Sequence, residues 1–576
     1  MNRYTQQVNV NYTIPINKLP YLDFLNATAR YQGGYTCSAT PLSQQEILGN
    51  TAENTNTIQI NGTVKFVTLY NQIPYLKRLN QNQKTTLNRK PGAPKPGQNK
   101  PQPNVANNDS TNKKPSVDYL KIIGEGAIRF AMMVRDATIS YSEQNGTLMP
   151  GLTPEPTYLG NNFSASTPGL GFVFGIQDDD LRYRAAQNGW ITQDTLFNGQ
   201  YMTKYTTNLN FRATLEPFKD LKIDLTANRT MSKDHSEYFQ SVNGYYESTS
   251  VIDRGSFTMS YMTIGTAFSG VNDDNSSSVF DDFKNYRLAI AQRLAAANPN
   301  YGNTIVDSTG FPTGYGPTSQ EVLHYAFLAA YTGKSPGKVS LNPFPSIPIP
   351  NWRVTYKGLM SLEFFKDNFK DVTISHGYRS SYNVSSYATN VLYKELNDAP
   401  AILDDANNYI PQYQMTQISI SEQFVPLVGV DVTWKNSILT RAEYRQTRNL
   451  ALSFSNNQIT EVTSKEFVIG LGYRIKDLQV SFGGGGNSKY KSDLNLKVDF
   501  SIKDNKTILR RIAEELNQIS AGTNVITLNT SADYQLNQRL SIKFFFDKTI
   551  NKPHVSNQYN NSTTKGGISL RFTLAQ

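Results

Sequence analysis

Four histidines, one cysteine and two short acidic runs are the residues of this 576-residue chain best suited to metal binding or catalysis. His235, His324, His376 and His554 stand far apart in sequence. None has a partner at metal-ligand spacing, and the helical zinc-protease motif is absent. Cys37, the only cysteine, allows no internal disulfide and no thiolate cluster. The oxygens of Asp178-Asp179-Asp180 and Asp273-Asp274-Asn275 suit calcium, but neither run has the spacing of a calcium loop. The Gly483–Gly486 run lacks the following Lys-Ser or Lys-Thr of a phosphate loop and reads as a flexible hairpin loop. The expectation is isolated lumen, strand or loop histidines, solvated loop acids and a small strand cysteine. No catalytic residue, cofactor site, metal site or enzyme is predicted.

The elements that would position these residues are strands. Leu494, Leu496, Val498, Phe500 and Ile502 alternate with Asp493, Asn495, Lys497, Asp499 and Ser501. Ile526, Leu528, Ala532 and Tyr534 share a parity, as do Leu540, Ile542, Phe544 and Phe546, and Ile568, Leu570, Phe572 and Leu574. Successive strand side chains point to opposite faces, so each segment has one apolar and one polar side. Segments of about ten such residues separated by turns are the mark of a transmembrane β-barrel. Lys497 and Arg571 fall on the polar parity, where a lumen would hydrate them. On the lipid side at mid-bilayer each would cost about 2–4 kcal/mol.

Composition agrees. Hydrophobic content is 38%, below the roughly 45–50% of soluble domains, and 34 Tyr and 29 Phe supply rings for membrane boundaries. No apolar run approaches the roughly 18 residues of a membrane helix, so period-2 patterning decides the class. The net charge of +10 is local: residues 77–121 hold ten Lys and Arg against Asp109 and Asp118. The same stretch is rich in Pro, Asn and Gln and has no interleaved aromatics for base stacking, so it reads as a solvated linker and not a nucleic-acid site. Met1 leads directly into strand-like Val8, Val10, Tyr12 and Ile14 with no secretory signal. The expectation is the C-terminal part of a longer exported protein.

The fold class predicted is an all-β membrane protein: a large antiparallel transmembrane β-barrel, partial as an incomplete ring or curved sheet, with a few short helices in loops. Barrel strands are assigned to 1–76, a disordered basic loop to 77–117, a barrel strand to 118–142 and a long loop to 143–202. Barrel hairpins follow at 203–268, a long helical insertion at 269–350, and strands to the C-terminus at 351–576, about twenty in all. Leu19–Phe24, Glu216–Leu221, Asn368–Val372 and Arg474–Leu478 read as tight periplasmic turns between alternating runs. Val279, Phe283, Tyr286, Ile290 and Leu294 share a helix face that Asn298-Pro299 ends. A second helix follows Pro317 with Val322, Tyr325 and Ala329, and a third is expected near 507–519 from Leu509, Ile512, Leu516 and Ile519. Pro345, Pro348 and Pro350 cannot donate to a ladder and mark an extended approach to a strand at Trp352. Trp352 and Tyr356 suit the lipid boundary.

Several segments, in order, resemble the SprA/Sov family of outer-membrane translocons of the Bacteroidetes type IX secretion system. They include Asn228-Arg229-Thr230 with Ser236-Glu237-Tyr238-Phe239, Gly255-Ser256-Phe257, and Asn342-Pro343-Phe344 running to Pro348-Ile349-Pro350-Asn351-Trp352-Arg353-Val354-Thr355-Tyr356-Lys357-Gly358-Leu359. Ser421-Glu422-Gln423-Phe424-Val425-Pro426-Leu427-Val428-Gly429-Val430-Asp431 follows, then Lys435-Asn436-Ser437, Gly470-Leu471-Gly472-Tyr473, Asp499-Phe500-Ser501-Ile502, Ser531-Ala532-Asp533-Tyr534 and Gly567–Gln576. The resemblance covers most of the chain beyond the basic linker. It implies a very large barrel that passes folded cargo bearing C-terminal sorting domains, with links to gliding motility and surface protein display. The implied partners are a PorV-like protein at a lateral opening, a periplasmic plug protein, secreted cargo and outer-membrane lipid, with no nucleic acid. This chain is far shorter than the family, so unpaired edge strands are expected. A TonB-dependent nutrient receptor is the alternative, and it predicts an N-terminal plug and an energy-coupling segment. A surface adhesion or motility component without a pore ranks third.

Overall fold

The computed structural model describes residues 3–41, 43–85, 119–305, 310–481, 489–514, 516–536, 539–556 and 558–572. The sheet begins with β1 (Arg3–Ile14), β2 (Leu25–Ser38) and β3 (Asn50–Val64). β4 (Val134–Leu152), β5 (Gln200–Leu215), β6 (Leu221–Val242), β7 (Tyr245–Ser260), β8 (Asn351–Tyr356) and β9 (Phe369–Thr389) follow. β10 (Glu395–Leu396) and β11 (Ala399–Pro400) pair with each other apart from that sheet, and β12 (Tyr413–Met415) is a short piece beside β9. The last strands are β13 (Gln417–Trp434), β14 (Ile438–Ser453), β15 (Gln458–Ser481), β16 (Lys489–Arg511), β17 (Leu516–Gln535), β18 (Leu540–Pro553) and β19 (Asn561–Phe572). Among the described residues seventeen strands join one sheet. Its antiparallel ladders run from β1–β2 to β18–β19, and among the described residues no ladder joins β19 to β1. The sheet is an open wall of long antiparallel strands, the barrel-type architecture expected from the alternation.

The helices are α1 (Gln45–Leu48), α2 (Phe66–Gln72), α3 (Pro74–Thr85), α4 (Tyr119–Ala131), α5 (Leu170–Val173), α6 (Leu181–Gln187), α7 (Ser278–Ala297), α8 (Gln320–Thr332) and α9 (Glu363–Asn368). Among the described residues, no helix is long and apolar enough to cross a membrane. α7 and α8 stand where the helical spacing places them. Asn298-Pro299 ends the first, and Gly333, at φ 70°, ends the second in the left-handed conformation that glycine adopts without strain.

Five expectations need correction. The basic segment is not one loop across 77–117, because α3 continues to Thr85, while the rest lies outside the described residues. Nor is 118–142 a single strand: α4 precedes β4, which starts at Val134. Tyr70, Leu79 and Met132, with Phe66, Leu76 and Ile128 against them, form a small core that holds these helices together. Asn368–Val372 is not a hairpin turn, since α9 runs straight into β9 at Phe369.

The turn expected at Arg474–Leu478 is a bulge within β15. Asp477 takes φ 55°, its N–H donates to the Asp493 carboxylate at 3.1 Å, and Arg474 Nε holds the same carboxylate at 2.8 Å. β15 runs on to Ser481, paired with Lys489 on β16, and the Gly483–Gly486 run lies outside the described residues. The helix expected at 507–519 is instead the top of the β16–β17 hairpin, where Arg511 faces Leu516. Ile512 sits buried beyond the end of β16, its N–H donating to Asn457 O at 3.1 Å.

Candidate functional site

The registers put the alternating residues on one continuous face. Tyr444, Phe467 and Ile502 form one row across β14–β16, and Ala442, Ile469 and Phe500 form the row below it. Thr530, Ala532 and Tyr534 carry this face through β17 to Phe546, Phe544 and Ile542 on β18 and Ile568 and Leu570 on β19. Phe211 and Ala227, then Ile223 and Val354, continue the face on β5, β6 and β8. This belt is bare: Val498 is 38% exposed, Phe544 50% and Ile568 64%. From Leu494 to Ile502 it spans roughly 26 Å along the strand, or about 20 Å along the normal at a tilt near 40°. That is close to the ~25 Å apolar band of outer-membrane barrels.

Toward the opposite strand ends from the Glu216–Leu221 turn, the same face changes. A polar row of Gln446, Lys465 and Asp504 borders the belt. Beyond it the face is apolar again but fully covered, with Ile418, Ile420, Leu450, Leu452 and Ile459 all at 0% exposure. The covers are two insertions. Residues 153–199 pack Phe172, Val173, Leu181 and Ile191 over Tyr35, Ala52 and Met149. Their backbone lies so close that a Cβ on Gly33 would meet Phe174 O at 2.2 Å, so only glycine fits there. Residues 261–350 lay α7 and α8 over Phe257, Met259, Tyr382, Val384 and Ile420. α8 is buried from Val322 through Thr332, which its apolar character all round explains.

Buried polar contacts pin the helical insertion to this face. Arg448 pairs with Glu422 at 2.9 Å and donates to Thr266 O at 2.7 Å. Thr263 Oγ1 donates to Glu422 at 2.6 Å. Arg510, with 0% of its side chain exposed, pairs with Glu461 at 2.7 Å and donates to Asn275 O at 2.7 Å. His324 bonds the Tyr382 hydroxyl at 2.7 Å. Burial holds the His324 imidazole far down, at a pKa of about 3, and raises the neighbouring Glu321 carboxyl to about 7. The other insertion is tied by Asn54 Nδ2 to Ile176 O at 3.0 Å, Tyr31 OH to Phe174 O at 2.6 Å and the Arg182–Glu237 pair.

The helical insertion leaves from the middle of the wall. β7 pairs with the upper part of β6, from Met259 opposite Arg229, and β8 pairs with its lower part, from Asn351 opposite Thr226. On the other side Ser260 faces Ser381 and Trp352 faces Tyr378. β7 and β8 are thus two halves of one wall strand, opened between Ser260 and Asn351. Polar groups close the gap. Asn351 Nδ2 donates to Ser260 Oγ at 3.3 Å, Ser380 N–H donates to Asn351 Oδ1 at 2.7 Å, and Ile349 N–H donates to Ser260 O at 3.1 Å. The unpaired stretch around Pro345, Pro348 and Pro350 is the return path, as the prolines require. Trp352 stacks on Tyr378 at 4.5 Å on the apolar face.

The second face is charged. On β14 Glu443 is clasped between Arg441 and Arg445, and Arg445 reaches Glu466 on β15 at 3.3 Å. Lys497 pairs with Asp499 at 2.8 Å. Across β4, β5, β6, β8 and β9 the same face forms a groove of about 1190 Å³.

The residues singled out for chemistry stay apart. His235 bonds Asp253 at 2.7 Å within the β6–β7 ladder, His376 bonds Leu427 O at 2.6 Å, and His554 bonds Asp504 at 2.5 Å. Asp178 pairs with Arg184, and Asp274 caps the Ser276 N–H at 2.9 Å. Cys37 is buried under the 153–199 insertion. Among the described residues no three His, Cys, Asp or Glu side chains converge as a metal site. The buried Arg448–Glu422 and Arg510–Glu461 pairs were not anticipated. Glu422 and Arg448 lie on the apolar parity of their strands, which is the one signal the sequence offers.

A wall with one apolar belt and one charged face defines an outer-membrane protein of the β-barrel class. No family model matches the chain, and no curated protein matches it. Among solved structures the chain is similar to the siderophore receptor PirA from Acinetobacter baumannii, at 7% identity and a TM-score of 0.23, covering 99% of this chain and 72% of that one. It is also similar to the RagAB peptide transporter, at 9% identity and a TM-score of 0.27, covering 95% of this chain and spanning about half, 51%, of the other. A third is a ferric enterobactin receptor mutant of Pseudomonas aeruginosa, at 7% identity and a TM-score of 0.23, covering 99% and 71%. Identities and scores this low leave the case for the fold with the strands themselves.

Proposed function

We propose that this chain is part of the wall of a protein-conducting outer-membrane channel of the SprA/Sov type, exporting folded cargo with C-terminal sorting domains in a Bacteroidetes-type bacterium. The ordered sequence segments that resemble that family support the reading. The observation that carries it is the side on which the insertions lie. The bonds above from both insertions to strand side chains land on the apolar-parity face, at Tyr31, Asn54, Glu237, Tyr382, Glu422 and Arg448. In this reading they lie outside the ring, above the bilayer, and leave the charged lumen face free for cargo. Further strands complete the two open edges, and a PorV-like partner and a periplasmic plug protein work with the full ring. Deleting the gene should strand sorting-domain cargo in the periplasm, and normal secretion would overturn the proposal. Loss of siderophore or peptide uptake with secretion intact would favour a TonB-dependent receptor instead.

A further inference from the structure

The charged face treats its cations in two ways. On β14–β16 Arg441, Arg445 and Lys497 each have a carboxylate within reach. In the β4–β9 groove, Lys222 is likewise held by Asp224 at 3.0 Å. Arg212, Arg353 and Arg379 line that groove too, and among the described residues none of the three has an ion-pair partner. Asp224 lies opposite Arg353 in the register, yet it pairs with Lys222. Three guanidinium groups are therefore left with unused donors in one concave surface.

Their positions follow from the ladders. Arg212 faces Thr226, Thr226 faces Asn351, and Arg379 lies one residue beyond the Trp352–Tyr378 pair, in the same cross-strand row. Arg353 stands between them, two residues lower on β8. Arg212 and Arg379 are three strand spacings apart, about 14 Å. In an extended peptide, side chains at i and i+4 are about 13 Å apart, and i+2 falls between them on the same side. Guanidinium forks match carboxylates in bidentate geometry.

We propose that this groove binds an extended acidic polypeptide segment carrying Asp or Glu at alternate positions. The inference rests on the channel reading and names a chemistry for its cargo. A polypeptide is favoured over an anionic polysaccharide because the aromatic residues that line the groove, Phe211, Trp352 and Tyr378, stand on the apolar parity of their strands, so their rings point to the other face and not toward a sugar on this one. Trp352 and Tyr378 stack on each other on the opposite face. Asn210, Asn228 and Gln423 instead offer amides suited to peptide groups.

The test uses the full chain in detergent micelles and a fluorescein-labelled peptide with Glu at alternate positions, read by anisotropy. The Arg212→Gln/Arg353→Gln/Arg379→Gln variant should bind at least tenfold more weakly than the parent. A triple Arg→Lys variant should fall between, and rising salt should weaken parent binding. All three side chains are exposed, so circular dichroism should show the sheet intact in both variants. The inference fails if the parent binds a Gln-substituted peptide equally well, if the triple Gln variant binds undiminished, or if polygalacturonate or inorganic phosphate displaces the peptide at equal charge concentration. None of these outcomes touches the export reading, which stands or falls on cargo location in the deletion strain.

Discussion

The apolar-parity face is one surface with two fates. Near the Glu216–Leu221 turn, Val498, Phe544 and Ile568 are bare, while toward the other strand ends Ile420, Leu450 and Ile459 are wholly covered. The side chains are the same kinds, and the strands between them carry no register shift from Gln458 to Tyr473 against β14. What differs is the solvent each height meets: acyl chains below, folded protein above. Apolarity alone does not mark a membrane belt; the polar row of Gln446, Lys465 and Asp504 between the two zones does.

The sharpest way to break that contrast is at the covered height. Glu461→Ala leaves Arg510 charged and buried without its carboxylate. The expected cost is about 3–5 kcal/mol, seen as early loss of the helical insertion in limited proteolysis during urea unfolding. If the insertion stays as protected as in the parent, the pin is not where its stability lies. At the bare height, Val498→Arg should cost about 2–4 kcal/mol in lipid vesicles. Ser501→Arg, on the charged face, should cost well under that, and equal costs would erase the two-sided reading.

Acid sharpens the contrast further, because Glu321 and His324 lie only in the cover. A neutral buried His324 stabilises the folded insertion above its free pKa of 6.5, and that stability is lost as pH falls toward about 3. Glu321 works in reverse: its raised pKa weakens the insertion as pH rises from 4.5 to about 7. The two oppose each other between pH 4.5 and 6.5, so protease protection of the insertion should hold there and fall below pH 4.5. Glu321→Gln should move the onset of loosening up toward pH 6.5, while the belt strands show no such shift. An unmoved onset would remove Glu321 from the account. The smallest effect is expected at the β15 bulge, where Arg474→Gln breaks a solvent-screened pair with Asp493 and should leave the midpoint in the same unfolding assay nearly unchanged.

Much of this wall is legible in the sequence because lipid and water impose a strict period of two. Parity alone put Leu496, Ala532 and Phe544 on the apolar side of their own strands, and the ladders bring them into one row. Helical spacing likewise found α7 and α8, whose apolar faces must be buried somewhere. Alternation carries no information on which cover a residue meets, so Ile420 under α8 and Val498 under lipid look alike. Helical spacing also misleads where a hairpin tip tucks one apolar side chain inward, as Ile512 does near Arg511 and Leu516. The bulge at Asp477 reads as a turn because the same residue types favour both, and only the Asp493 carboxylate across the ladder decides between them. The unpaired arginines of the groove are invisible in sequence, since pairing depends on which strand lies opposite.

The opened strand has a consequence for how such a molecule diversifies. The ninety residues between Ser260 and Asn351 depart and return at neighbouring points held by the Asn351–Ser260 bond. Replacing them with a single residue, the one missing opposite Ala227 and Ser380, would restore an unbroken stave from Tyr245 to Tyr356 in the same register on both sides. Ornament and enclosure can therefore be inherited, lengthened or exchanged separately, with the staves of the cask left in place.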